Sequence, residues 1–180
     1  SLCIVVLKGL AAARGLSLSR EQLAAAGNQL ERRFHGNPSG LDTAVVAWEQ
    51  AISFAKGKGP KPLTVKPLST SAGRSAWRFA LLDTNARSST LAMIQLAAPS
   101  FTGQAGAMRL ERFDRIAELA IQGLSKGEPD PVCEAMLGAA RELEEIGVVS
   151  PAIKEVMHAA MAAGALAAKP TGAGGGGCVL

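Results

Sequence analysis

The chain is poor in the residues that build metal centres and disulfide frameworks. Its 180 residues include two histidines and three cysteines, and no two cysteines have the CxxC spacing of zinc sites. We therefore expect neither a zinc site nor a disulfide framework, and a reducing cytoplasm is the simplest compartment. Aromatic residues make up only 4%, and no basic block is interleaved with them. Nucleic-acid binding is not expected, although the net charge of +4 suits an anionic ligand such as a nucleotide.

What the chain does have is enough apolar sequence for one compact core or two small ones. Hydrophobic residues make up 48% and charged residues 19%, as in a folded enzyme-like protein. The first run, SLCIVVLKGLAAARGL, lacks a basic leader, is broken by Lys8 and is too short to span a bilayer. It predicts a buried helix and no membrane association. Since a mature protein rarely begins inside such a helix, we expect a fragment of a longer protein.

A second helix is predicted from a cap at Ser19 through about Arg33. Its apolar stripe has spacings of three and four residues and consists of Leu23, Ala26, Leu30 and Phe34. Glu31 lies at the edge of this stripe, with small residues on one side of it. Spacing alone favours a solvated surface glutamate.

The segment FHGNPSGLDTAVVAW ends this helix, because Gly36, Pro38 and Gly40 are turn formers. Asp42 or Ser39 could simply cap the next helix. The density of turn formers also fits a rigid loop that holds an acid at the mouth of a helix, where catalytic groups are often placed. The residues alone leave both interpretations open.

The middle of the chain alternates apolar and polar residues, as strands do. We predict three strand segments, which contain Ile52 and Phe54, then Leu63 and Val65, then Trp77, Phe79 and Leu81. LLDTNARSST follows and leads into a helix. Its hydroxyls and Arg87 fit a phosphate-facing turn and a plain capped helix start about equally well.

The pattern after residue 106 is helical. The buried stripe of the first helix is predicted to be Leu110, Phe113, Ala117, Ala120 and Leu124. Asp130-Pro131 and Ser150-Pro151 each combine an N-cap with a following proline and predict two more helix starts. The last helix is rich in alanine up to Ala168 and gives way to KPTGAGGGGCVL, which by composition alone indicates a flexible tail.

Two of these motifs together resemble a known family. HGNPSGLD and KPTGAGGGGC are similar to the motifs of the mevalonate kinases, a branch of the galactokinase, homoserine kinase, mevalonate kinase and phosphomevalonate kinase (GHMP) superfamily. The glycine run recurs across the superfamily, whereas HGNPSGLD is much more specific to this branch. Because their order and separation also fit, the resemblance covers essentially the whole chain.

The resemblance implies an α+β GHMP kinase fold in two parts. Residues 1–100 would be the remainder of the nucleotide-binding N-terminal domain, and residues 101–180 a truncated, helix-rich, ferredoxin-like C-terminal domain. The family's phosphate-binding loop would lie just before Ser1. We therefore expect the 180 residues alone to be inactive and to bind ATP poorly.

The resemblance also assigns site residues. Asp42 would be the catalytic carboxylate, and Glu31, eleven residues upstream, the Mg²⁺ ligand, which overturns the surface interpretation of this glutamate. Substrate-binding roles fall on His35, Ser39 and Thr90, although Leu91 stands where family members often have a basic residue. Close-packed glycines that support the phosphate-binding loop would be Gly172, Gly174, Gly175 and Gly176.

The implied activity is ATP- and Mg²⁺-dependent phosphorylation of the 5-hydroxyl of mevalonate, in isoprenoid biosynthesis in the cytoplasm. The alternatives are a related kinase acting on phosphomevalonate or a sugar, and a catalytically silent binding or regulatory protein of the same fold. Members of the family are often dimers, so the resemblance also implies a homodimer.

Overall fold

The computed structural model describes residues 1–35, 38–55, 58–70 and 73–180. These residues form two compact units, Ser1–Val65 and Lys66–Leu180. The helices are α1 (Leu2–Ala13), α2 (Arg20–His35), α3 (Leu41–Trp48), α4 (Thr90–Ala97), α5 (Gly103–Lys126), α6 (Pro129–Ile146) and α7 (Pro151–Ala162). The strands are β1 (Ile52–Ala55), β2 (Gly59–Pro62), β3 (Leu68–Thr70), β4 (Gly73–Ser75), β5 (Leu82–Asp83) and β6 (Cys178–Val179). None of the helices in these ranges is long and apolar enough to cross a membrane.

The first unit packs α1, α2 and α3 around a small apolar core. This core consists of Ile4, Leu23, Ala47 and Trp48. Gly27 lets α1 and α2 approach closely, because a Cβ at this position would lie 2.4 Å from Cδ1 of Ile4. The antiparallel hairpin of β1 and β2 follows α3, with Ile52 opposite Pro62.

The predicted start of α2 is confirmed. The Ser19 hydroxyl accepts a hydrogen bond from the Gln22 backbone N–H at 3.2 Å, and the Gln22 side-chain oxygen accepts one from the Ser19 N–H at 2.8 Å. This reciprocal capping box satisfies two of the N–H groups that a helix start leaves unpaired. The helix continues to His35, two residues beyond the predicted end.

The first predicted helix exists, but it is less buried than its composition suggests. Ile4 is fully buried and Ala11 nearly so, whereas Leu2, Val5 and Leu10 are more than half exposed. The prediction of a buried helix is therefore correct for one face only. Composition reports how apolar a helix is, while burial depends on which faces of the helix are covered.

The second unit is built on the antiparallel pair α5 and α6. The Glu142 carboxylate is buried between Arg109 and Arg112, and Arg109 also pairs with the exposed Glu145. These guanidinium groups, Arg112 first, hold the pKa of Glu142 below its usual range. A small core next to this helix pair consists of Val149, Ile153, Ala168 and Val179.

Of the predicted helix starts in this unit, one is confirmed and one is wrong. The Ser150 hydroxyl caps α7 by accepting a hydrogen bond from the Ile153 N–H at 3.4 Å. Helix α6 instead begins at Pro129, with Glu128 at the N-cap and Asp130 already in the first turn. The first turn tolerates proline because its N–H groups have no helical partner. Helix α7 ends at Ala162, before the end of the alanine-rich run.

The strand predictions are also confirmed only in part. Ile52 and Phe54 lie in β1 as predicted, but its partner β2 ends before Leu63. Residues 76–81 do not form a strand, although the rings of Trp77 and Phe79 stack 6.0 Å apart. Alternation favours an extended backbone, yet a strand also needs a partner, and none of the described strands pairs with this segment.

Candidate functional site

Glu31 lies on α2 and is half-buried, with one carboxylate oxygen held by a hydroxyl. The Ser1 Oγ donates a hydrogen bond to Glu31 Oε1 at 2.7 Å. A serine that lies 30 positions away in the sequence thus orients this carboxylate. The interpretation of Glu31 as a plain solvated surface residue does not fit this contact.

Asp42 lies in the first turn of α3 and is exposed. The N-cap residue of this helix is Gly40, which has a φ of 88° and provides no side-chain cap. The Ser39 Oγ accepts a hydrogen bond from the Leu41 N–H at 3.2 Å, so Ser39 rather than Asp42 satisfies a backbone group here. Asp42 therefore presents a carboxylate at the positive end of a helix dipole, where a negative charge is stabilised.

The helices that carry Glu31 and Asp42 pack directly against each other. Thr43 on α3 is almost fully buried, and its Oγ1 donates to the Gly40 carbonyl at 3.0 Å. Asn28, one turn before Glu31, packs against Gly40. Of the HGNPSGLD motif, Gly36, Asn37 and the side chain of His35 lie outside the described part of the structure.

Thr90 and the predicted glycines lie in the second unit. Thr90 is the exposed first residue of α4, and Ser89 caps this helix by accepting a hydrogen bond from the Ala92 N–H at 3.4 Å. Arg87 makes two hydrogen bonds of 2.7 Å to the Asp83 carboxylate. This guanidinium lowers the pKa of Asp83 to about 2. Of the two interpretations of LLDTNARSST, the structure shows the capped helix start. The Arg87 guanidinium is paired with the Asp83 carboxylate.

The glycine-rich segment forms a hairpin loop. The backbones of Lys169 and Leu180 exchange two hydrogen bonds, and the Thr171 N–H donates to the Cys178 carbonyl at 2.9 Å. Strand β6 at the end of the loop pairs with β5, with Asp83 opposite Cys178. We name residues 171–178 the glycine loop. It packs against other residues of the second unit, so the composition-based expectation of a flexible tail is wrong.

Three glycines of this loop pack so closely that any side chain would collide. A Cβ on Gly174 would lie 2.4 Å from the Val148 carbonyl oxygen, and one on Gly176 would lie 2.6 Å from the Ala86 carbonyl oxygen. A Cβ on Gly175 would meet Ser88 at 2.7 Å. Gly172 has open space around it and a φ of 67°, so there glycine is favoured by backbone conformation alone.

No group of three or more His, Cys, Asp or Glu side chains able to hold a metal occurs among the described residues. Mg²⁺ in proteins usually takes one or two carboxylates and completes its octahedron with phosphate oxygens and water. The Glu31 carboxylate, with the Ser1 hydroxyl oxygen beside it, supplies the hard oxygen donors that Mg²⁺ prefers. These residues fit a Mg²⁺ ion that is held mainly by a phosphorylated ligand.

Family models match both ends of the chain. The model of the N-terminal domain of GHMP kinases matches residues 1–50, and the model of the GHMP kinase C-terminal region matches residues 120–180. This chain belongs to the GHMP kinases. The mevalonate kinase of Aeropyrum pernix is 29% identical over 171 residues, which cover 94% of this chain and 51% of that protein. This GHMP kinase chain spans about half the length of the curated relatives it matches.

Solved structures of the family confirm the predicted α+β fold. The structure of L. major mevalonate kinase in complex with R-mevalonate has a TM-score of 0.83 at 20% identity, covering 99% of this GHMP kinase chain and 54% of that chain. Streptococcus pneumoniae phosphomevalonate kinase in complex with phosphomevalonate and AMPPNP has a TM-score of 0.75 at 18% identity, covering 98% and 57%. The family domain division between residues 100 and 101 stays a prediction, because the matched regions leave residues 51–119 unassigned.

The structure brings some predicted residues together and adds others that sequence reasoning missed. Glu31, Ser39 and Asp42 lie on or beside the packed α2 and α3, whereas Thr90 and the glycine loop belong to the second unit. Their catalytic and binding roles remain predictions. The additional residues are Ser1, Asn28, Thr84 and Ser88. For Thr84 and Ser88, the only signal in the sequence is the row of hydroxyls in DTNARSST. Their hydrogen-bond partners, Gly177 and Gly174, lie 93 and 86 positions away.

Proposed function

We propose that the gene product containing this chain is an ATP- and Mg²⁺-dependent mevalonate kinase, which transfers the γ-phosphoryl group of ATP to the 5-hydroxyl of mevalonate. The observation that carries the proposal is the exposed Asp42 carboxylate at the start of α3, on a helix packed against the one that carries Glu31. The mevalonate kinases among its relatives support the choice of acceptor.

Asp42 and Glu31 divide the chemistry between them in this proposal. Phosphoryl transfer requires a hydroxyl aimed in line at phosphorus and neutralisation of the charge on the nucleotide. Asp42 accepts a hydrogen bond from the acceptor hydroxyl and orients it. It takes the hydroxyl proton as the new O–P bond forms and the bond between the γ-phosphorus and the leaving ADP oxygen breaks. Glu31, oriented by Ser1, would hold the Mg²⁺ ion, which when bound neutralises phosphate charge. Ser39, His35 and Thr90 are proposed to contact the acceptor.

The glycine loop is assigned a supporting role. Its Gly174 and Gly176 allow backbone to pack on backbone, and Gly175 leaves room for the side chains of Met93 and Ser88, which gives a rigid surface on which a phosphate-binding loop can rest. The same proposal includes the division into domains at residue 100, a homodimer, a cytoplasmic location and the inactivity of the 180 residues alone.

A second candidate is a phosphomevalonate kinase, which the similarity to the Streptococcus pneumoniae structure favours. A catalytically silent protein of this fold is less well supported, since the chain retains both Asp42 and Glu31. The test is a coupled assay of ADP release by the natural gene product with mevalonate, phosphomevalonate and galactose, each with and without Mg²⁺. We expect turnover with mevalonate that depends on Mg²⁺. Turnover with phosphomevalonate or galactose only would refute the acceptor assignment, and no turnover with any acceptor would refute the kinase assignment.

A further inference from the structure

The glycine loop is bonded to the segment 83–90 by more than strand pairing. The Gly177 carbonyl accepts two hydrogen bonds from Thr84, one from its backbone N–H at 2.9 Å and one from its Oγ1 at 2.7 Å. The Gly177 N–H in turn donates to the Ala86 carbonyl at 2.8 Å. Both ends of this contact are half-buried, where solvent competes poorly for the bonded groups.

A second hydroxyl fixes the other end of the contact. The Ser88 Oγ donates a hydrogen bond of 2.8 Å to the Gly174 carbonyl. Gly174 is buried, and its neighbour Gly175 donates its N–H to the Val148 carbonyl at 2.7 Å. The loop is thus held from the α6–α7 connection on one side and from Ser88 on the other.

The packing leaves the loop little room to slide. A Cβ at Gly176 would lie 2.6 Å from the Ala86 carbonyl oxygen, so the two backbones are in direct contact. Segment 83–90 is itself braced by the Asp83–Arg87 ion pair and by the Asp83 carboxylate, which accepts a hydrogen bond from the Asn85 N–H at 2.9 Å. Two short segments far apart in sequence therefore form one rigid element.

We propose that Thr84 and Ser88 are positioning residues for the reaction. Their hydroxyls fix the glycine loop to segment 83–90, which ends in Thr90. The glycine loop, on the phosphate side, and Thr90, on the acceptor side, therefore keep the same relative position during phosphoryl transfer. This inference rests on the proposed kinase function. Neither hydroxyl needs to touch a substrate, because each is already donated to a carbonyl of the loop.

The consequence for catalysis is a loss of alignment rather than a loss of binding. A displacement of about 1 Å in a positioning element can lower a rate up to about 100-fold while leaving much of the binding energy in place. Thr84→Val keeps the shape of the side chain and removes only the hydroxyl. Ser88→Ala removes the second hydroxyl independently, so the proposal does not depend on the folding of one variant.

The experiment uses the natural gene product with Thr84→Val, Ser88→Ala and the conservative Thr84→Ser. Thr102→Val is the matched control. The Thr102 Oγ1 also donates a hydrogen bond to a backbone carbonyl of the same unit, that of Pro99 at 2.9 Å, but this bond is far in sequence from the glycine loop. The readouts are kcat and the KM values for ATP and mevalonate. Amide hydrogen exchange of peptides covering 83–90 and 171–178 supplies a measurement that is independent of activity.

We expect kcat to fall about ten-fold in Thr84→Val and in Ser88→Ala, with both KM values changing less than about three-fold, because alignment is lost and binding is kept. Thr84→Ser should restore kcat, and Thr102→Val should match the wild type. Faster exchange of the 171–178 amides in both hydroxyl-free variants should accompany the loss.

Unchanged exchange in both variants would show that the hydroxyls do not fix the loop, and faster exchange with unchanged kcat would show that the fixing does not serve the reaction. Either result overturns the inference while the wild-type enzyme remains an active kinase. A wild-type protein that transfers no phosphoryl group to any acceptor would instead refute the proposed function, and the positioning role with it.

Discussion

Asn28 packs against Gly40 across the interface of α2 and α3. A Cβ on Gly40 would lie 3.4 Å from Nδ2 of Asn28 and 3.7 Å from its Oδ1. That Oδ1 is buried, and no group in the part of the chain that the structure describes donates a hydrogen bond to it. The helix that carries Glu31 therefore contacts the turn before Asp42 through a buried carbonyl oxygen that receives no hydrogen bond from these residues, and such a group lowers stability.

Substitution of Asn28 tests this contact. Asn28→Leu has nearly the same shape and removes the unpaired oxygen, so we expect the free energy of unfolding to stay the same or rise by about 1 kcal/mol. Asn28→Asp should lower it, because a carboxylate would be buried without a donor. Urea denaturation measures both. A large loss of stability in Asn28→Leu would mean that Oδ1 has a partner in solution.

The buried ion pairs of the second unit give a prediction with an internal control. Glu142→Gln leaves two arginines without their shared carboxylate, and we expect a loss of about 3 kcal/mol in the free energy of unfolding. Glu145→Gln removes an exposed partner of Arg109 only, and should lose less than about 1 kcal/mol. Urea denaturation of the two variants side by side checks the difference. Equal losses would show that burial of Glu142 does not matter.

The pair of Asp83 and Arg87 predicts a pH dependence. The pKa of Asp83 is about 2 in the folded chain against an ordinary value of 3.8, so the folded state binds this proton more weakly than the unfolded state. The stabilising contribution of the pair is therefore fully present above about pH 4 and is lost as the pH falls towards 2. The carboxyl carbon shift of Asp83, followed by NMR, should titrate near pH 2. In Arg87→Gln the midpoint should move towards 3.8, and an unmoved midpoint would contradict the assigned cause.

Local features of the fold could be predicted from the sequence because their causes are local. The Ser19 cap of α2 and the Ser150-Pro151 start of α7 depend on hydrogen bonds between residues three positions apart, and both predictions are correct. Asp130 is not the N-cap because Pro129 can also occupy a first helical turn. The same sequence was therefore compatible with two different starts of α6. Residues 76–81 fail as a strand because pairing is a property of two segments, and alternation describes only one.

The candidate site shows the same limit at longer range. Resemblance of motifs predicts site roles for Asp42, Glu31 and the glycines, which stay predictions, while spacing alone favours a surface role for Glu31. The Ser1–Glu31 hydrogen bond and the Thr84–Gly177 contact join residues 30 and 93 positions apart. Side-chain periodicity carries no information on such pairs, which only the packed chain brings together.

The catalytic role proposed for Asp42 can be tested without disturbing the fold, because the side chain is exposed and does not cap its helix. Asp42→Asn removes the charge that orients the acceptor hydroxyl and takes its proton. We expect kcat to fall about 10² to 10⁴-fold, with the free energy of unfolding falling by less than about 1 kcal/mol, because the helix dipole of α3 no longer stabilises a negative charge there.

Glu49→Gln is the matched control for Asp42→Asn, since Glu49 is an exposed carboxylate at the other end of the same helix and pairs only with Lys8 among the contacts that the structure describes. Its kcat should equal that of the wild type. Steady-state assays of both variants, with circular dichroism to confirm folding, decide the point. Near-normal turnover in a folded Asp42→Asn would exclude Asp42 as the catalytic carboxylate, because an exposed acid that orients and deprotonates the acceptor cannot be replaced by a neutral amide without a large loss of rate.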